Sequence, residues 1–161
     1  MIKKAEKILG WDIPALSKAL HLSEEDIKLY FTDGRKVSFI YERRVNNEYI
    51  FGKLAPSEKC GYDLIDKKGN KWEIRCITKD GVYFSPSNMV GKGRKFAEIG
   101  FLGKLKEIKG YILADVDEFP NVSFWIVDKE DVFDWYKKGL LGKNASPSKK
   151  KILELLNASK K

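Results

Sequence analysis

Two carboxylates and one arginine have the spacing of a metal-assisted catalytic site. Residues 62–66 and 71–78 are rich in β-branched and aromatic side chains, and a Gly-Asn turn signal between them predicts a hairpin. Side chains alternate between the two faces of a strand, so Glu73 and Arg75 are predicted to be neighbours on one face. Asp63 begins the first strand, across the hairpin, where its carboxylate and that of Glu73 converge on one divalent cation.

Composition excludes several other kinds of chemistry. The chain has 161 residues, 43% of them hydrophobic, which is enough for the core of one domain. His21 is its only histidine, and Cys60 and Cys76 are its only cysteines, which argues against structural zinc, a Ser-His-Asp triad and histidine-based nuclease chemistry. No apolar run is long enough for a membrane span, and we expect a cytoplasmic protein with reduced thiols.

Positive charge is concentrated at the C-terminal end. The net charge is +8, and the segment from Lys137 onward contains eight lysines and a single acidic residue, Glu154. Such a basic segment suits contact with a polyanion. A solubilising tail is the alternative.

The pattern Asp63…Glu73-Ile74-Arg75 resembles the PD-(D/E)XK signature of nucleases, above all of type II restriction endonucleases. The chain departs from that signature at Tyr62, which replaces a proline, and at Arg75, which replaces the final lysine. The resemblance implies that Asp63, Glu73 and the backbone carbonyl of Ile74 hold Mg²⁺. It also gives Arg75 the task of stabilising phosphate charge, because a guanidinium stays protonated and cannot act as a base.

The resemblance implies an α/β fold with a restriction-endonuclease-like core of order αβββαβ over residues 36–138. We expect a helical segment, 1–35, before the core and a basic linker with a short C-terminal helix, 139–161, after it. The helix over residues 36–46 carries Glu42, which the resemblance makes a further candidate for the metal site. A surface pair with a nearby arginine is the other interpretation of Glu42.

The remaining core elements follow from apolar spacing and turn signals. Residues 82–84 are predicted to form a third strand, antiparallel to the second, after an Asp-Gly turn. Residues 111–116 and 122–127 are apolar enough for strands, and 129–138 is amphipathic. A helix over residues 96–109 is expected to face the core with Phe96, Ile99, Leu102, Leu105 and Ile108.

The N-terminal segment is predicted to be helical throughout. Residues 2–9 have amphipathic spacing, and Asp12 is a candidate cap for the next helix. Residues 16–31 resemble a helix-turn-helix, although the second helix opens with three acidic residues that would repel phosphate. Reading of DNA and plain helical packing or dimerisation are both open.

The segment that follows the third predicted strand is rich in donors to phosphate and base edges. We interpret residues 85–95 as a DNA-contact loop; a flexible connection is the alternative. Its candidate contact residues are Ser85, Ser87, Asn88, Lys92, Arg94 and Lys95.

These expectations combine into one function. The resemblance implies a Mg²⁺-dependent endonuclease that cuts double-stranded DNA, of the type II restriction class, acting as a homodimer. The alternatives are a non-catalytic DNA-binding protein with a nuclease-like fold, and a homing or repair endonuclease.

Overall fold

The computed structural model describes residues 1–90 and 93–158. These residues form six α-helices: α1 (Ile13–Leu20), α2 (Glu24–Phe31), α3 (Gly34–Val45), α4 (Glu98–Glu107), α5 (Lys129–Lys137) and α6 (Lys149–Ala158). They also form eight strands: β1 (Ile2–Lys4), β2 (Leu9–Gly10), β3 (Lys53–Leu54), β4 (Leu64–Ile65), β5 (Lys71–Ile77), β6 (Gly110–Asp115), β7 (Asn121–Val122) and β8 (Phe124–Asp128).

A mixed, mostly antiparallel sheet is the centre of the molecule. Its strand order is β1-β8-β6-β5-β4-β3. Only the central pair, β5 and β6, is parallel, in a register that runs from Trp72↔Gly110 to Ile77↔Asp115. The predicted α/β class is therefore confirmed. No helix in the described ranges has the length and apolar character needed to cross a bilayer.

Helices cover both faces of this sheet and give it two apolar cores. The β6 strand supplies both cores, because Leu113 points to one face and Ile112 to the other. Helices α4, α5 and α6 pack on the face of Leu113, whereas α2 and α3 pack on the face of Ile112. The N-terminal and C-terminal segments therefore both pack apolar side chains against the central sheet.

The N-terminal helices begin where the sequence supplies caps. Asp12 accepts a hydrogen bond from the backbone of Ala15, which confirms its capping role, and Ser23 caps α2 in the same way. His21 ends α1 in the left-handed conformation with φ of 54°. Ile27 of α2 is fully buried in the core on the Ile112 face of the sheet.

The helix predicted over residues 2–9 is wrong. Ile2–Lys4 is an edge strand that pairs antiparallel with β8, and Leu9–Gly10 pairs with β7. Amphipathic spacing over eight residues is too short to stabilise a helix alone, so pairing with an open sheet edge prevails.

The third strand predicted at residues 82–84 is also wrong. Its pairing with β5 is limited to the isolated antiparallel bridge Thr78↔Gly81. The amides of Val82 and Phe84 instead donate to the carbonyls of Pro147 (3.2 Å) and Ala145 (3.0 Å). The antiparallel meander is completed by Lys53–Leu54, which pairs with β4.

Two further predictions hold only in part. The helix α4 occupies Glu98–Glu107, but Ile99 is 84% exposed and Phe101 is fully buried in its place. Gly100 faces Met89, where an added Cβ would lie only 1.9 Å from Met89 Cε. The strand predicted over residues 122–127 is interrupted at Ser123, which separates β7 from β8.

We expect residues 82–84, the irregular segment before the predicted DNA-contact loop, to be part of the core. Replacement of Phe84, a fully buried ring in edge contact with Tyr111, by alanine should lower the free energy of unfolding by about 3–5 kcal/mol. Tyr83, which is half exposed, is the matched control, and Tyr83→Ala should change the free energy of unfolding by less than about 0.5 kcal/mol. Urea denaturation measures both; equal losses would contradict this packing.

Candidate active site

Asp63 lies where the β4 and β5 strands separate. Its amide donates to the carbonyl of Trp72 at 2.9 Å, and the regular ladder covers only the next two pairs. The amide of Ile74 therefore has no partner on β4, and Asp63 Oδ2 accepts it at 2.7 Å. A side chain thus satisfies a backbone donor that strand separation would leave unpaired. This bond holds the carboxylate of Asp63 beside Ile74 in β5.

Glu73 is a buried charge held by two cations. Its side chain lies on the sheet face covered by α4 and is 6% exposed. Glu73 Oε1 lies 2.8 Å from Arg75 Nη2, and Oε2 lies 2.6 Å from Lys104 Nζ. A buried carboxylate is costly unless it is paired in this manner. The predicted proximity of Glu73 and Arg75 is confirmed.

Lys104 is the residue of this cluster that sequence reasoning missed. It projects from α4, is 10% exposed, and also donates to the carbonyl of Gly61 at 2.8 Å. The contact joins a helix to a strand far away in sequence, so no local spacing indicates it. The only available signal was a lysine between the apolar residues Leu102 and Leu105 of a helix.

Arg75 connects the site to the loop that follows. Its Nη2 donates to the carbonyl of Ser85 at 3.0 Å as well as pairing with Glu73. Within the described part of the chain, the buried Nε of Arg75 has no hydrogen-bond partner. An unpaired buried donor carries a free-energy cost that an anionic ligand would remove.

Burial and mutual repulsion perturb the acidic groups. Burial, and then the charge of Glu73, raises the pKa of Asp63 to about 6. Burial, and then the charge of Asp63, raises the pKa of Glu42 to about 7. The three predicted carboxylates therefore share one electrostatic environment, which a bound cation would stabilise.

The donor set fits Mg²⁺ in chemistry, because it offers two carboxylates that would ligate the ion directly. Among residues 1–90 and 93–158, no group of three or more histidine, cysteine, aspartate or glutamate side chains is arranged as a metal cage. Mg²⁺ does not require one, because it is commonly held by one or two carboxylates and completes its shell with water. Asp63 and Glu73 supply such hard oxygen donors, and both lie beside Ile74, whose carbonyl the sequence proposed as a third.

The structure divides the predicted DNA-contact residues into two groups. Ser85 is 2% exposed and its hydroxyl donates to the carbonyl of Asn144, so its assignment to DNA is corrected to an internal role that anchors the loop. Arg94 is exposed and donates to the carbonyls of Ser87 and Val90. The side chains of Ser87, Asn88 and Lys95 are also exposed, and Lys92 lies outside the described residues.

The raised pKa of Asp63 predicts a stability that depends on pH and metal. A neutral Asp63 carboxyl stabilises the fold below the ordinary pKa, and this contribution is lost as pH rises through about 6. In chelator, Asp63→Asn should therefore raise Tm at pH 8, because the amide oxygen still accepts from Ile74. Added Mg²⁺ should raise the Tm of the wild type and leave that of Asp63→Asn nearly unchanged.

Asp80→Asn is the matched control, because Asp80 is an exposed carboxylate in a turn. It should retain both the pH profile and the response to Mg²⁺ of the wild type. Equal Mg²⁺ shifts in all three proteins would contradict a metal site at Asp63.

Comparisons with known proteins assign this geometry to no family. No protein-family model matches the chain, and no curated protein matches it either. The function of the chain is therefore inferred from its residues and their arrangement.

Proposed function

We propose that this protein is a Mg²⁺-dependent endonuclease that hydrolyses phosphodiester bonds in double-stranded DNA. One observation carries the proposal: buried Glu73, bridged by Arg75 and Lys104, lies on the strand whose open edge holds Asp63. In metal-assisted phosphoryl transfer, carboxylates hold the metal ion and neighbouring cationic side chains stabilise the charge on the phosphate.

The order of elements supports a restriction-endonuclease-like core. Helix α3 is followed by the antiparallel strands β3, β4 and β5, then by α4 and by β6, which is parallel to β5. This sequence of elements is the αβββαβ order that the resemblance implies. In this order Glu42 lies on the helix, Asp63 directly before the second strand and Glu73 on the third strand.

Each side chain then has a defined task. Asp63 and Glu73 would hold the cation, and Glu42 would add a carboxylate close enough for its pKa to respond to Asp63. When bound, Mg²⁺ supplies a Lewis acid for the phosphate and acidifies a bound water. Arg75 and Lys104 are placed to stabilise the charge that develops on the phosphate oxygens.

A non-catalytic DNA-binding protein is the second candidate, and one observation favours it. Both carboxylate oxygens of Glu73 are engaged by cationic groups, so metal binding must compete with two ion pairs. Arginine in place of the family's lysine also fits a site that has lost its chemistry.

We also propose a type II restriction role, a homodimer and a cytoplasmic location. The dimer follows from the two-fold symmetry of duplex DNA, where each subunit cuts one strand. The homing and repair classes are the alternatives to restriction.

A plasmid cleavage assay tests the activity. The wild type should cut in Mg²⁺ and not in chelator, whereas Asp63→Asn and Glu73→Gln should cut at least about 100-fold more slowly, because each removes a metal-binding charge. Duplex binding in chelator should persist in both variants, since loss of a carboxylate relieves repulsion with phosphate. Asp80→Asn should cut at the wild-type rate.

Wild-type cleavage rates in Glu73→Gln would disprove the assigned site. Duplex binding without any cleavage by the wild type would favour the non-catalytic candidate.

The two cations of the site can be separated by mutation. Arg75→Lys should retain measurable cleavage, because a cation stays on the same face of β5 beside Glu73. Arg75→Ala and Lys104→Met should each slow cleavage by about 100- to 1,000-fold, as is typical of losing one charge-stabilising donor. Single-turnover rates at saturating DNA measure the effect.

Lys106→Met is the control, because Lys106 lies one half-turn away on α4 and is exposed. A higher rate in Arg75→Lys than in an inactive wild type would identify Arg75 as the cause of lost chemistry. Unchanged rates in both Arg75→Ala and Lys104→Met would remove these cations from the mechanism.

A further inference from the structure

A groove of about 580 Å³ runs beside the candidate active site. Its walls come from the first turns of α3, from the second half of β5 and from the segment that follows β5. Ile74 and Arg75 belong to both the groove and the active site. The volume lies within the range of about 300–1,000 Å³ that is usual for pockets that bind small molecules.

The lining of the groove is cationic. It includes Arg35 from α3, Arg75 from β5 and Arg94 from the loop, and its described lining residues include no carboxylate. The Nε of Arg75 is buried and has no hydrogen-bond partner among the described residues. Ser38 and Ser87 add hydroxyl groups. Guanidinium and hydroxyl donors are typical of sites that contact a sugar-phosphate backbone.

An aromatic side chain stands among these donors. Tyr83 lines the groove and is 50% exposed, whereas its neighbours Val82 and Phe84 are buried. An exposed ring inside a cationic groove is the arrangement that proteins use to stack an unpaired base. Bases inside a regular duplex remain stacked on one another and leave such a ring without a partner.

We propose that this groove binds one unpaired nucleotide of the strand that is cut, with its base on Tyr83 and its phosphates on Arg35 and Arg94. The inference rests on the proposed function, since it assigns a place to the nucleotide next to the cleaved bond. It also narrows the substrate class: DNA that carries a locally unpaired nucleotide is preferred over a regular duplex.

Fluorescence anisotropy in chelator, where no cleavage occurs, tests the preference directly. The two probes are a fully paired duplex and the same duplex with one extra, unpaired nucleotide in one strand. The wild type should bind the second probe about tenfold more tightly, in line with the contribution of one stacked base. Tyr83→Leu should lose this difference, and Tyr83→Phe should retain it, because the ring without its hydroxyl still stacks.

Matched controls separate stacking from charge. Phe133→Leu removes an aromatic ring of similar exposure on α5, away from the groove, and should retain the preference. Arg35→Gln should weaken binding of both probes and reduce the slope of log K against log salt by about one. Lys106→Gln, at an exposed lysine on α4 that does not line the groove, should leave affinity for both probes unchanged.

Equal affinity of the wild type for both probes, or a full preference in Tyr83→Leu, would overturn the inference. Failure of the proposed function gives a different result. If the protein cuts plasmid in Mg²⁺ but shows no preference between the probes, the proposed function holds and the nucleotide site is rejected. If the protein shows a Tyr83-dependent preference but never cuts DNA, the nucleotide site holds and the proposed endonuclease activity is rejected.

Discussion

The buried charge of Glu73 holds three parts of the molecule together. Its carboxylate lies on the central strand β5, one partner is on α4, and the other, Arg75, also binds the carbonyl of Ser85 in the following loop. Removing either cation would leave the buried carboxylate with a single cationic partner, so that its burial is less well compensated. Helix α4 must therefore dock where Lys104 reaches Glu73, and this requirement fixes the helix over the site.

The sheet contributes the second constraint, which is the separation of β4 from β5. The parallel strand β6 pairs with β5 from Trp72 to Ile77, whereas β4 leaves after two residue pairs. The open edge exposes the amide of Ile74, and Asp63 satisfies it. The same geometry that completes the backbone hydrogen bonds thus brings a second carboxylate towards Glu73. The hydrogen bond between Asp63 and Ile74 therefore serves both the fold and the proposed chemistry. It also brings Asp63 close enough to Glu73 for the two carboxylates to repel each other, which raises the pKa of Asp63.

Much of the site was accessible from local pattern. A hairpin with a Gly-Asn turn and a period of two places Glu73 beside Arg75 without knowledge of the rest of the chain, and the structure confirms that proximity. The general α/β class also follows from the spacing of apolar residues. The errors occurred at short segments, residues 2–9 and 82–84, where pairing with a distant segment decides the conformation. The metal, the DNA substrate and the dimer stay proposals drawn from the residues.

The sequence by itself determined the residues that lie close together along the hairpin, because strand alternation and turn chemistry act over a few residues. It identified Asp63, Glu73 and Arg75 as one group. Only the tertiary structure decided that Lys104 is the second partner of Glu73, that Ser85 is an internal anchor, and that a groove lined by arginines lies beside the site. Those features depend on how helices α3 and α4 dock on the sheet, and docking is set by the packing of two whole cores rather than by any local pattern.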